Sequence, residues 1–188
     1  ICDQICQLIW EWCRINEIWI TCTYIPGTIN TEADTESRRD YRDSNWMLNR
    51  KIFQNVCKRL NYEPTIDCFA NRLNSQLPKY ISYKPDPNAY LINAFSHNWA
   101  HIKGYLFPPF SLVGRVLQKL RIDQATALLI APDWPSQPWY TTLMDMVILG
   151  PIRISPAQSN LVLPTDPEEL HPLWRKLTLL ACLVSGKI

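Results

Sequence analysis

The chain has 188 residues, 47% of them hydrophobic and 19% charged, with a formal net charge of +2. That composition supports one packed domain or two small ones and excludes global disorder. The five glycines (Gly27, Gly104, Gly114, Gly150 and Gly186) stand far apart, so neither a P-loop nor a G-x-G-x-x-G dinucleotide loop can be built from them.

Residues 1–14 have the spacing of an amphipathic helix, with Ile1, Ile5, Leu8, Ile9 and Trp12 on one face. Residues 17–25 are rich in β-branched and aromatic side chains, and Pro26-Gly27 closes them as a strand entering a turn. Residues 31–38 read as a short helix with Thr31 as its N-cap. Residues 39–45 are polar and charged, the best linker in the chain. Helical spacing returns over 46–60 through Leu48, Ile52, Phe53, Val56 and Leu60. A second pattern begins at Pro64. Residues 65–69 suit a short buried strand, and 71–89, with Pro78, Pro85 and Pro87, suit a loop. A strand over 103–107 precedes Pro108-Pro109, and 112–120 is apolar at helical spacing. Residues 125–131 form a continuous apolar run closed by Pro132, the pattern of a strand buried on both faces. A helix over 139–147 and short strands over 152–154 and 161–163 follow. This alternation predicts an α/β layer architecture. The longest apolar run, 177–184, is too short to span a bilayer. No basic-then-apolar leader opens the chain, and its first residue is an isoleucine, which points to a fragment of something longer.

The seven cysteines (Cys2, Cys6, Cys13, Cys22, Cys57, Cys68 and Cys182) are odd in number and irregular in spacing, without a C-x-x-C. Free, mostly buried thiols in a reducing intracellular compartment, nuclear or cytoplasmic, are expected. Cys2 and Cys6 lie one helical turn apart, as do His97 and His101, but a zinc site needs a tighter set of four. Charge is unevenly spread. Between Arg38 and Leu60, the basic residues Arg38, Arg39, Arg42, Arg50, Lys51, Lys58 and Arg59 face only Asp40 and Asp43. Such a stretch in a near-neutral chain is a candidate phosphate-facing surface, or simply a solvated helix face.

The string Tyr24-Ile-Pro-Gly-Thr-Ile-Asn-Thr-Glu-Ala-Asp34-Thr-Glu-Ser-Arg38 resembles the closing motif of retroelement RNase H domains. The resemblance implies that Asp34 is one of four carboxylates holding two divalent metals, Mg2+ in an intact parent. Two such cations activate water and stabilise the leaving oxygen during cleavage of an RNA–DNA hybrid. The earlier carboxylates of such a domain have no counterpart here, so this chain alone is expected to be inactive. As an isolated residue, Asp34 would read as an acid in the first turn of a helix.

Further on, Asp67-Cys-Phe-Ala-Asn, Asn93-Ala-Phe-Ser96, Phe107-Pro-Pro-Phe-Ser111, Ile130-Ala-Pro-Asp-Trp134 and Gln137-Pro-Trp139-Tyr140 resemble the tail that follows RNase H in DIRS-type retrotransposon polyproteins. That tail is similar in turn to small phage-type DNA adenine N6-methyltransferases. The similarity implies a Rossmann-like fold, Asp67 as the acid that touches the methyl donor, and Phe107, Pro108, Pro109 and Phe110 in the place of the adenine-binding motif. There a polar first residue accepts the exocyclic amine and an aromatic fourth residue stacks on the flipped base. Phe107 stands at the acceptor position and cannot accept a hydrogen bond, so catalysis with S-adenosylmethionine is unexpected. Asn93 stands where an acid is more usual. As a bare turn, 107–110 would close a core strand.

The expected organisation is an RNase H remnant (helix, strand, helix) over 1–38, a basic linker and helix over 39–62, and a degenerate methyltransferase-like α/β domain over 63–188. Nucleic acid is the expected partner, with no membrane. Two other readings compete: an active adenine methyltransferase, and a non-enzymatic interaction module that docks through Pro132 to Tyr140.

Overall fold

The computed structural model describes residues 2–19, 21, 26 and 46–187. Most of the strand expected over 17–25, the helix over 31–38, and Asp34, Arg38, Arg39 and Arg42 lie outside the described residues. The chain divides into two compact units, Ile1–Asp40 and Tyr41–Ile188. In the first, α1 spans Cys2–Ile15, ends in a turn at Asn16 and Glu17, and carries Arg14 in its last turn, where a cation suits the helix dipole. Leu8, Ile9 and Trp12 are exposed, and Cys13 is buried.

The second unit is mixed α/β. Its elements are β1 (Met47–Leu48), α2 (Arg50–Arg59), β2 (Ile66–Asp67), β3 (Ile81–Ser82), β4 (Leu91–Ile92), β5 (Gly104–Leu106), α3 (Val113–Ile122), β6 (Thr126–Pro132), α4 (Tyr140–Met146), β7 (Val147–Ile154), β8 (Leu161–Val162) and β9 (Leu179–Ser185). A five-stranded sheet runs in the order β2-β5-β6-β9-β7. The first three strands are parallel, and β9 runs antiparallel to both of its neighbours. Two short pairs, β1 with β8 and β3 with β4, flank it.

Alternation along β6 fixes both sides of the core. Ala127, Leu129 and Ala131 point to one face, where α3 adds Val113, Val116, Leu117 and Leu120 and α4 adds Leu143 and Met146. Leu128 and Ile130 point to the other, where α2 adds Phe53 and Val56 beside Tyr105, Leu48 and Leu161. A sheet covered on both faces must be apolar throughout its central strands, which is why β6 and β9 read as unbroken apolar runs. Burying each Leu or Ile contributes roughly 1.5–3 kcal/mol.

Helix boundaries follow local chemistry. The helical spacing expected over 46–60 begins only at Arg50, because Met47 and Leu48 pair with Val162 and Leu161 as strand. Asn49 then caps α2, its side-chain oxygen accepting the Lys51 N–H at 3.0 Å. Asn61, at φ 46, turns the chain out after the last helical turn, a left-handed position that asparagine tolerates. Gly186 follows β9, and its N–H donates to the Ala125 carbonyl at 2.8 Å. A Cβ there would lie 1.9 Å from the Leu120 carbonyl oxygen, so the strand end meets the end of α3 with no space for a side chain.

Candidate functional site

The parallel strands β2, β5 and β6 end at one edge of the sheet, the edge where open α/β sheets bind ligands. Asp67 is the last residue of β2, Phe107 follows β5, and Asp133 and Trp134 follow β6. The structure thus brings Asp67 and the Phe107–Phe110 segment to the same edge.

Phe107, Pro108, Pro109 and Phe110 wall a cleft of about 340 Å³ together with Trp46 and His171. Phe107 and Phe110 lie 6.3 Å apart between ring centroids, tilted by 58°. Trp134 meets Phe110 edge-on at 5.3 Å, and His171 meets Trp46 edge-on at 5.0 Å. The Leu173 N–H donates to His171 Nδ1 at 3.2 Å, so the neutral ring carries its hydrogen on Nε2. Pro109 precedes a single 3₁₀ turn, Phe110–Leu112, which leads into α3, so the motif is both strand exit and helix entry. The cleft is aromatic and proline-rich, suited to holding a flat ring by stacking. Trp46 and His171 come from distant segments, Trp46 just before β1 and His171 after β8. Neither carries a local sequence signal for this role.

Asp67 does not line the cleft. It is 2% exposed. Its Oδ2 accepts the Gln76 N–H at 2.9 Å and its Oδ1 the Phe69 N–H at 3.4 Å. Its own N–H donates to the Lys79 carbonyl at 2.9 Å. Burial pushes its carboxyl up to about 7, against the pull of the two N–H groups. Asp67 therefore ties the 68–79 segment to the end of β2, and this arrangement does not fit an acid that touches a methyl donor.

Gln76 donates through Nε2 to the Leu48 carbonyl. Gln76 Oε1 and Tyr105 Oη are buried without a hydrogen-bond partner among the described residues. Tyr105 is the register partner of Asp67 and packs edge-on against Phe53 at 4.7 Å.

Asn93, at φ 56, donates its N–H to the Ser82 carbonyl at 2.7 Å and opens a short 3₁₀ turn. After β6, Asp133 accepts the Tyr140 hydroxyl at 2.7 Å and faces Arg153 Nε at 3.4 Å. Trp134 and Trp139 are half-buried and pack against the two core clusters. They anchor the 132–140 segment and do not project from it.

Arg50, Lys51, Lys58 and Arg59 are all exposed on the outer side of α2, away from Phe53 and Val56. Arg50 also reaches the Ser75 carbonyl at 3.4 Å. Among the described residues no three His, Cys, Asp or Glu side chains come together as a metal site, and no helix is long and apolar enough to cross a membrane. No protein-family model matches the chain, and no curated protein matches it.

Proposed function

We propose that the chain is the C-terminal part of a DIRS-type retroelement polyprotein, and that 63–188 is a degenerate methyltransferase-like α/β domain that binds nucleic acid without methylating it. The observation that carries this reading is the cleft walled by Phe107, Pro108, Pro109 and Phe110 at the carboxyl ends of parallel strands. A phenyl ring stands there where the exocyclic amine of adenine needs an acceptor. Stacking survives through Phe110, and proton withdrawal does not. Asp67 adds to the argument, because both of its oxygens accept main-chain N–H groups.

In the intact parent, the reading assigns Asp34 to a two-metal RNase H site with Mg2+, acting on RNA–DNA hybrids. One carboxylate cannot hold two metals, so on this reading no nuclease activity is expected of this chain alone. Arg50, Lys51, Lys58 and Arg59 supply phosphate contacts, joined by Arg38, Arg39 and Arg42 before them.

The test is a methylation assay on adenine-containing DNA together with calorimetric titration of S-adenosylmethionine. Neither donor binding nor methyl transfer is expected. A duplex with an unpaired adenine should quench tryptophan fluorescence at the cleft, and Phe110→Ala should weaken that response about tenfold. Methyl transfer by the wild-type chain would establish the active methyltransferase in its place.

A further inference from the structure

The connection between β3 and β4 is built unlike an idle loop. Asp86 Oδ2 accepts the Tyr80 hydroxyl at 2.9 Å and Oδ1 accepts the Asn88 N–H at 2.9 Å. The Ala89 N–H donates to the Asp86 carbonyl at 3.0 Å, and the Tyr90 N–H to the Tyr80 carbonyl at 2.9 Å. Pro85 and Pro87 fix two further φ angles. The segment is thus folded back over Tyr80 and held in one shape. Yet it displays two large rings: Tyr83 is 78% exposed and Tyr90 52%.

A cation sits beside one of these rings. Lys79 Nζ sits 4.9 Å from the centroid of the Tyr90 ring. From Arg72 to Tyr90 the chain carries Arg72, Lys79 and Lys84 against a single acid, Asp86, whose carboxyl the Asn88 N–H, the Tyr80 hydroxyl and the neighbouring Arg72 hold below its ordinary value. Rigid exposed rings interleaved with cations are suited to stacking on bases and neutralising phosphates. An apolar protein partner would not call for the cations. A duplex hides its base faces, so the strand must be single. The hydrogen-bonding groups of Asp86 and Tyr80 are spent on folding the loop, so recognition rests on rings and charges and makes no demand for a 2′-hydroxyl.

We propose that the β3–β4 loop is a stacking platform for single-stranded DNA, with Tyr83 and Tyr90 under the bases and Lys79 at the phosphates. The inference rests on the nucleic-acid reading above but uses residues separate from the aromatic cleft. The two can therefore fail separately.

The experiment is fluorescence anisotropy of the full chain with labelled oligothymidine of about 15 nucleotides, a length within the range one such platform tracks, at roughly 50 and 200 mM salt. Tyr83→Ala and Tyr90→Ala should each weaken binding about tenfold, while Tyr83→Phe keeps it. Lys79→Ala should weaken binding and lower the salt slope by about 0.7. Ile122→Ala, an exposed position at the end of α3, should leave oligothymidine binding unchanged. The platform is overturned if wild type does not bind, if the double tyrosine variant binds as well as wild type, or if oligouridine binds about tenfold more tightly. Loss of binding in Phe110→Ala with none in the tyrosine variants would also overturn it, and would leave the cleft reading standing.

Discussion

Replacing Asp67 by Asn keeps the shape of the side chain and removes its charge. Burial holds the Asp67 carboxyl at about 7 against an ordinary 3.8. In the unfolded chain the group ionises near its ordinary value, so above about pH 4 the folded state binds more protons than the unfolded one. Stability from this group is complete below pH 4 and is lost as pH rises through 7. A displacement of about three pH units, at about 1.4 kcal/mol each, amounts to roughly 4 kcal/mol in all, of which roughly 2–3 kcal/mol falls between pH 5 and 8. Asn mimics the protonated acid. Its oxygen keeps the 2.9 Å bond from Gln76, and its amide displaces the weaker 3.4 Å contact from Phe69, at a cost of about 0.5–1.5 kcal/mol. Asp67→Asn should therefore be level with wild type or more stable by up to about 1 kcal/mol at pH 5, and more stable by roughly 3 kcal/mol at pH 8. Urea unfolding followed by tryptophan fluorescence at both pH values measures the difference. An identical gap between variant and wild type at pH 5 and pH 8 would refute the argument.

Gly186→Ala should destabilise by about 1–3 kcal/mol or more, seen as a lowered thermal midpoint, because the new methyl meets main-chain atoms of Leu120 and Arg121 and no flexible side chain can yield. Tyr105→Phe should be neutral or stabilising by up to about 1 kcal/mol in urea titration, since the hydroxyl it removes is buried without a partner among the described residues. A loss above that would reveal an unseen bond. Cys68 and Cys182 should resist a thiol reagent in the native protein while exposed Cys6 reacts within the mixing time. Burial both shields the first two and pushes their thiols up, Cys182 to about 12. Equal labelling of all three would contradict the burial.

The parts of the fold that could be read from sequence are those whose pattern reflects burial on both faces. The run over 125–131 appears one residue later as β6, and the strand over 103–107 as Gly104–Leu106. The helices over 112–120 and 139–147 appear as α3 and α4 with shifted ends. The strand over 152–154 is the end of a longer β7, whose first half is apolar in sequence but largely exposed, with Gly150-Pro151 interrupting the run. Three strands, β9, β3 and β4, are not assigned from sequence. Residues 177–184 have the apolar continuity of β9, but continuity alone does not separate a strand from a buried helix. Within 71–89 and just beyond, β3 and β4 are two residues each and set among prolines, and they are defined by pairing that only the tertiary fold supplies. The motif Phe107–Phe110 indicated one wall of the cleft. Its other wall, Trp46 and His171, is assembled by the pairing of β1 with β8, which no local pattern encodes. At Asp67 the family resemblance implied ligand contact, whereas the main-chain bonds it accepts from Phe69 and Gln76 depend on a tertiary arrangement that no local pattern shows.

The placement of β9 also sets the order in which the protein can be made. β7 joins the sheet only through β9, and β6 has no neighbour on that side until β9 arrives some fifty residues later in the chain. During synthesis the ribosome must therefore deliver Leu179–Ser185 before the last two strands of the sheet can join it, and until then the main chain of β6 presents an open edge. A chain stopped before Leu179 should lose β7 as well as β9 and bind hydrophobic dye, whereas a native-like near-ultraviolet spectrum from it would show that β7 has found another partner. The last strand to emerge acts as the clasp of the fold.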